Sequence, residues 1–143
     1  MREFEKVIDL PVFRYHVKII ITESVVKSRQ ARTEGLGPYE KEDTNPAAMH
    51  TGVKGKNWSY LFFRFNPGIG DVSHECFHCI WRLMRWIGAD LENEVVAYHL
   101  TYLTEEVWKF AKSVEDLPDP NPEKQLDDLA AKYDGLDTKA VEK

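Results

Sequence analysis

An α+β fold is predicted by three observations. Short runs rich in β-branched and aromatic residues fill the first half of the chain, two long helical patterns fill the second, and a proline-rich stretch follows them. The chain has 143 residues, enough for one compact domain. Val12 to Thr22 (VFRYHVKIIIT) reads as a strand that Pro11 starts, and Thr22 is placed to cap a helix over Glu23 to Arg32. Thr33 to Pro46 combines glycine, proline and mixed charge and reads as a long loop. Met49 to Val53 and Tyr60 to Phe65 (YLFFRF) are two further strands, and Gly55-Lys56-Asn57 between them marks a hairpin.

Asn66-Pro67-Gly68 breaks the chain before a helix that Asp71 or Ser73 caps and Gly88 ends. Asp90 then caps a second helix running from Leu91 to Val114. The organisation expected is a domain over 1–114 and, over 115–143, a stiff linker (Leu117 to Pro122) with a polar, mobile tail.

Composition narrows the function classes. A net charge of -5 gives no general attraction to nucleic acid or to anionic lipid. No apolar run approaches the roughly 20 residues that span a bilayer, and the first residues do not read as a secretory signal. A cytoplasmic protein with two reduced thiols, Cys76 and Cys79, is expected.

The chemistry lies in His74-Glu75-Cys76-Phe77-His78. At about 100° per residue, His78 falls about 40° from His74, so both imidazoles share one face one turn apart. Glu75 lies about 100° round, beside the pair, where a carboxylate reaches a water on a shared ion without ligating the ion. Cys76, Ile80, Leu83, Met84 and Ile87 form an apolar stripe opposite, which makes the cysteines core residues. A Cys-x-x-Cys metal or redox pair is the weaker reading, because no second pair exists. The bland alternative is a surface helix with unrelated histidines. A chance HExxH is expected in about one or two such chains per hundred.

Two histidines do not complete a catalytic zinc site, for which three protein ligands and a water are usual. The pattern HExxHxxGxxH fails, because Trp81 and Met84 stand at the Gly and third His positions. A site with an upstream cysteine ligand fails too, since no cysteine precedes Cys76. Glu94, near the start of the next helix, is the favoured third ligand, with Glu92 and His99 as rivals. For Glu94 the alternative is a solvated carboxylate near a helix N-terminus. Candidates to stabilise a transition state are Tyr98, Tyr102 and His99, with Arg82 and His50 also in range. Arg82 has pairing with a carboxylate as its more ordinary fate. His16 reads as packing within a strand.

HExxH followed by a glutamate on the next helix resembles the gluzincin-type zincin metallopeptidases. More narrowly, His74 to His78, Ile87-Gly88-Ala89, Asn93-Glu94, Ala97-Tyr98 and Tyr102 resemble small metallopeptidase-like proteins encoded by phages and prophages. The likeness covers Asp71 to Trp108. It implies a small zincin-like domain, a short antiparallel or mixed sheet followed by two long helices that carry the ligands. It implies Zn2+ held by His74, His78 and Glu94, Glu75 as general base, and a peptide or protein substrate. It also implies an edge strand lining the cleft, here Tyr60 to Phe65. Larger gluzincins often carry an Asp four residues after the ligand Glu; Tyr98 stands there, so the outer shell differs. Two rivals remain: a catalytically inactive zincin-like component of a phage particle or other assembly, in which Trp81, Trp86 and Trp108 support an interface, and a zinc hydrolase of non-peptide amides.

Overall fold

A computed structural model describes residues 1–10, 13–32, 46–89 and 94–120. The expected loop after Thr33, the cap at Asp90 and the tail beyond Pro120 lie wholly or mostly outside them. The described residues form β1 (Glu3–Leu10), β2 (Tyr15–Thr22), α1 (Val25–Ala31), β3 (Ala48–Gly52), β4 (Trp58–Arg64), α2 (Ile69–Ile87) and α3 (Glu94–Val114). The α+β class is as expected.

The sheet is mixed, in the order β1-β2-β4-β3. β1 pairs antiparallel with β2, β2 pairs parallel with β4, and β3 pairs antiparallel with β4. Strand alternation sorts the side chains onto two faces. Tyr15, Val17, Ile19, Ile21, Leu61 and Phe63 join the main core with Val72, Cys76, Cys79, Ile80, Leu83 and Met84 of α2 and with Leu103, Val107 and Ala111 of α3. Ile20, Tyr60 and Phe62 face the other way and pack with Val25 of α1. Each such fully buried side chain stabilises the fold by about 1.5–3 kcal/mol relative to exposure.

Several expectations require correction. β1 has no counterpart among the expected elements: Glu3, Glu5 and Asp9 alternate as charged residues with an exposed Val7 between them, and it carries no turn signal of its own. Its pairing with β2 along the full length of both strands is what makes it a strand. Ser24, not Thr22, caps α1, accepting the Lys27 N–H at 3.3 Å, while Thr22 still belongs to β2. Neither Asp71 nor Ser73 caps α2, which starts two residues before Asp71 with Gly68 at its N-cap and no side-chain cap bond. Gly88 does end α2, in the left-handed conformation at φ 72°, and its N–H turns back to the last carbonyls. The strand before the HExxH helix is not an edge. β4 lies between β2 and β3, and the edge strands among the described residues are β1 and β3. Four consecutive buried residues, Tyr60 to Phe63, fit a strand covered on both faces.

After α3 the chain turns back over β1. Arg2 donates to the Leu117 and Glu115 carbonyls at 3.0 and 3.3 Å, and those residues are not helical. No helix among the described residues is long and apolar enough to cross a membrane.

Candidate metal centre

The buried stripe of α2 orients everything on its opposite face. With Cys76, Cys79, Ile80 and Leu83 fully buried against the sheet, His74, Phe77, His78, Trp81 and Arg85 are left on the exposed side. Burial raises both thiols, Cys76 to about 12 and Cys79 in the same direction, and both are fully buried while His74 and His78 are exposed.

His74 Nε2 and His78 Nε2 lie 3.1 Å apart. Two nitrogens bound to one zinc at about 2.0–2.1 Å in tetrahedral geometry would stand about 3.3 Å apart. The pair therefore has the spacing of a two-point ligand for zinc. Without an ion, the same spacing serves an Nε2–H donated from one ring to the other.

Glu75 projects beside the pair toward β3 and is half-buried. Burial raises its carboxyl pKa above the ordinary value, and His74, His78 and a hydrogen bond from the His50 backbone N–H pull it back down. The strand register explains that bond. Ala48 pairs with Phe63 while the Arg64 N–H reaches the Ala47 carbonyl, so His50, opposite Leu61, points its own N–H away from β4. The edge of β3 thus meets the carboxylate of α2.

His50, one of the candidates to stabilise a transition state, is a direct neighbour of the pair, a contact that no spacing pattern in the sequence indicates. Its ring stacks on that of His78, with centroids 6.3 Å apart, and its Nε2 lies 3.0 Å from Ser59 Oγ. Ser59 Oγ is 2.5 Å from Tyr15 OH, which accepts from Arg82 Nη1 at 2.5 Å. Burial, then the charges of His78 and Arg82, push His50 down to about 4, which keeps it neutral. The only sequence signal was strand alternation, which sets Ala48, His50 and Gly52 on one face of β3.

Arg82 does not pair with a carboxylate among the described residues. Its guanidinium also donates to the carbonyls of Trp58 (3.1 Å), Val53 (2.6 Å) and Lys56 (3.0 Å), which ties α2 to the turn between β3 and β4. His16 is not packing within the sheet either: its Nδ1 lies 2.5 Å from Asp9, its cross-strand partner.

Glu94 stands elsewhere. The Thr104 hydroxyl hydrogen-bonds Cys76, which places that part of α3 beside the HExxH turn. Glu94 is about 15 Å of helix axis from Thr104. It shares a surface hollow of about 440 Å³ with Tyr98, Tyr102 and Glu105, all on α3. Tyr98 is 70% exposed there and Tyr102 46%. His99 packs on Phe13 at 4.7 Å and its Nδ1 meets the Val95 carbonyl at 2.7 Å. Glu92 lies outside the described residues. Among the described residues, no three His, Cys, Asp or Glu side chains converge as a metal-binding set.

Comparison with known proteins returns no match, whether to a protein-family model, to a curated protein or to a solved structure.

Proposed function

We propose that the protein is a zinc-dependent peptidase of the HExxH type, a small zincin-like hydrolase. The observation that supports it most is the 3.1 Å approach of His74 and His78 Nε2 beside a half-buried carboxylate, Glu75, at β3, an edge strand among the described residues. His74 and His78 would hold the ion. On the sequence pattern Glu94 is proposed as the third ligand, which requires α3 to bring it closer to the pair than it stands in the structure. A bound zinc supplies a Lewis acid that polarises a carbonyl and acidifies water.

The chain's own residues supply the rest. Glu75 accepts a proton from the attacking water at its carboxylate and returns it to the leaving amine nitrogen, so the C–N bond breaks as the new C–O bond is completed. The His50 N–H fixes the direction of that carboxylate. β3 offers an extended peptide the outer edge of the sheet, as strand addition requires. The proposed partner is a peptide or protein substrate, met in a cytoplasm.

Purified protein should contain zinc near one equivalent, and Glu75→Gln should keep the metal and lose hydrolysis. Absence of tightly held zinc overturns the reading at its root. Zinc with unchanged hydrolysis in Glu75→Gln overturns the mechanism. A second reading, an inactive assembly component, is favoured by one observation: Phe77, Trp81 and Trp86 are exposed together on α2. It predicts stable incorporation into a larger complex that Glu75→Gln leaves unaltered.

A further inference from the structure

Beyond His78 the exposed side of α2 forms one wall of a groove of about 500 Å³, lined by His50, His78, Trp81, Arg82, Arg85 and Trp86. Among the described residues, no carboxylate lines it. Arg82 spends its donors on neutral oxygens: the Tyr15 hydroxyl and three backbone carbonyls. Such acceptors satisfy its N–H groups and leave its charge in place. Arg85 is exposed, and neither arginine enters an ion pair among the described residues. In a chain of net charge -5, two guanidiniums without an acidic partner among the described residues make a local positive field. Trp81 and Trp86, 42% and 46% exposed, set apolar surface beside that field and weaken the screening by water.

We infer that this groove is a subsite for an acidic side chain, Glu or Asp, of the peptide engaged at the histidine pair. The inference rests on the peptidase reading for what the peptide is there to do. Arg85, without an acidic partner among the described residues, provides the fork that meets a carboxylate with two parallel N–H donors. Arg82, anchored to the β3–β4 turn, adds charge that cannot swing away. The two indoles cover the methylene stem. A neutral side chain would gain the indole contact alone and would displace water from Arg85 without replacing its hydrogen bonds.

The test uses the full chain carrying Glu75→Gln, so that peptide is not consumed. A blocked alanine pentapeptide with a single central glutamate is titrated by calorimetry and by tryptophan fluorescence, beside its glutamine twin. The glutamate peptide should bind at least about ten-fold tighter. That advantage should shrink as salt rises. Arg85→Gln should lower the glutamate peptide to the level of its twin and leave the twin unchanged, and Arg85→Lys should restore part of the difference. Equal affinity of the two peptides, no binding of either, or equal weakening of both by Arg85→Gln overturns the proposal. The peptidase reading is scored separately: if the wild-type chain binds the glutamate peptide selectively but never cleaves it, hydrolysis falls and the subsite stands.

Discussion

Gly52 and Arg82 occupy each other's space: a Cβ built on Gly52 would lie 2.0 Å from Arg82 Nε and 2.3 Å from its Cδ. A long side chain usually yields to such an intrusion. This one is held at four acceptors, so displacing it strips the turn between β3 and β4 of its anchor. Gly52→Ala should therefore cost about 1–3 kcal/mol of stability, and Arg82→Met a similar amount through the carbonyls left without a donor. The double variant should cost less than the sum, because both changes break one contact. Urea midpoints measure all three, and strict additivity would refute the coupling.

Zinc content separates the candidate ligands. His74→Ala and His78→Ala should each abolish retention of the metal through gel filtration. Glu94→Gln should weaken zinc binding by more than the about ten- to hundred-fold typical of an outer-shell partner. Unchanged zinc affinity in Glu94→Gln would move the third ligand to another residue and leave Glu94 to its hollow with Tyr98 and Tyr102.

Alkaline pH should destabilise the fold in a specific window. Burial raises Cys76 to about 12 and Cys79 in the same direction, and it raises Tyr15, against the opposing hydrogen bond from Ser59. A group with a raised folded pKa binds more protons folded than unfolded, so stability falls as pH climbs past the unfolded value. Its contribution is complete below about pH 8.5, the thiol value in an unfolded chain, and declines toward pH 12. The urea midpoint should fall steadily above pH 9, and the slope should lessen in the Cys76→Ala, Cys79→Ala double variant. A slope unchanged in that variant would assign the effect to other groups.

The same burial makes the thiols inert. Both are fully buried in the native chain. A thiol reagent at pH 8 should label neither until denaturant is added, with labelling following the unfolding transition. Rapid native labelling of either cysteine would contradict its place between α2 and the sheet.

Gly88 ends α2 at φ 72°, a conformation that costs a residue with a Cβ about 1 kcal/mol. Among the described residues, no atom beyond its own chain neighbours and helix backbone stands within 4 Å of a Cβ built there, so Gly88→Ala reads the backbone effect. A thermal midpoint lowered by a few degrees is the expected result, and no change would mean that the cap conformation relaxes.

What the sequence by itself determined is local. The spacing of His74, Glu75 and His78 fixes their places on one helix because residue angles depend only on helix geometry. The apolar stripe sends Cys76 and Cys79 inward, and Gly88 ends the helix, for reasons contained within a few residues. The tertiary structure decided the rest. It made Glu3–Leu10 a strand by laying it on β2, and it put β3 rather than β4 at an edge of the described sheet. It carried Arg82 to carbonyls 24 to 29 positions away, stacked His50 on His78, and left Glu94 on a different part of α3 from the one beside the HExxH turn. Each of these outcomes depends on which distant segments pair. A spacing rule reads neighbours along the chain, whereas strand order and helix level are set by burial and hydrogen bonding summed over partners that no local pattern names.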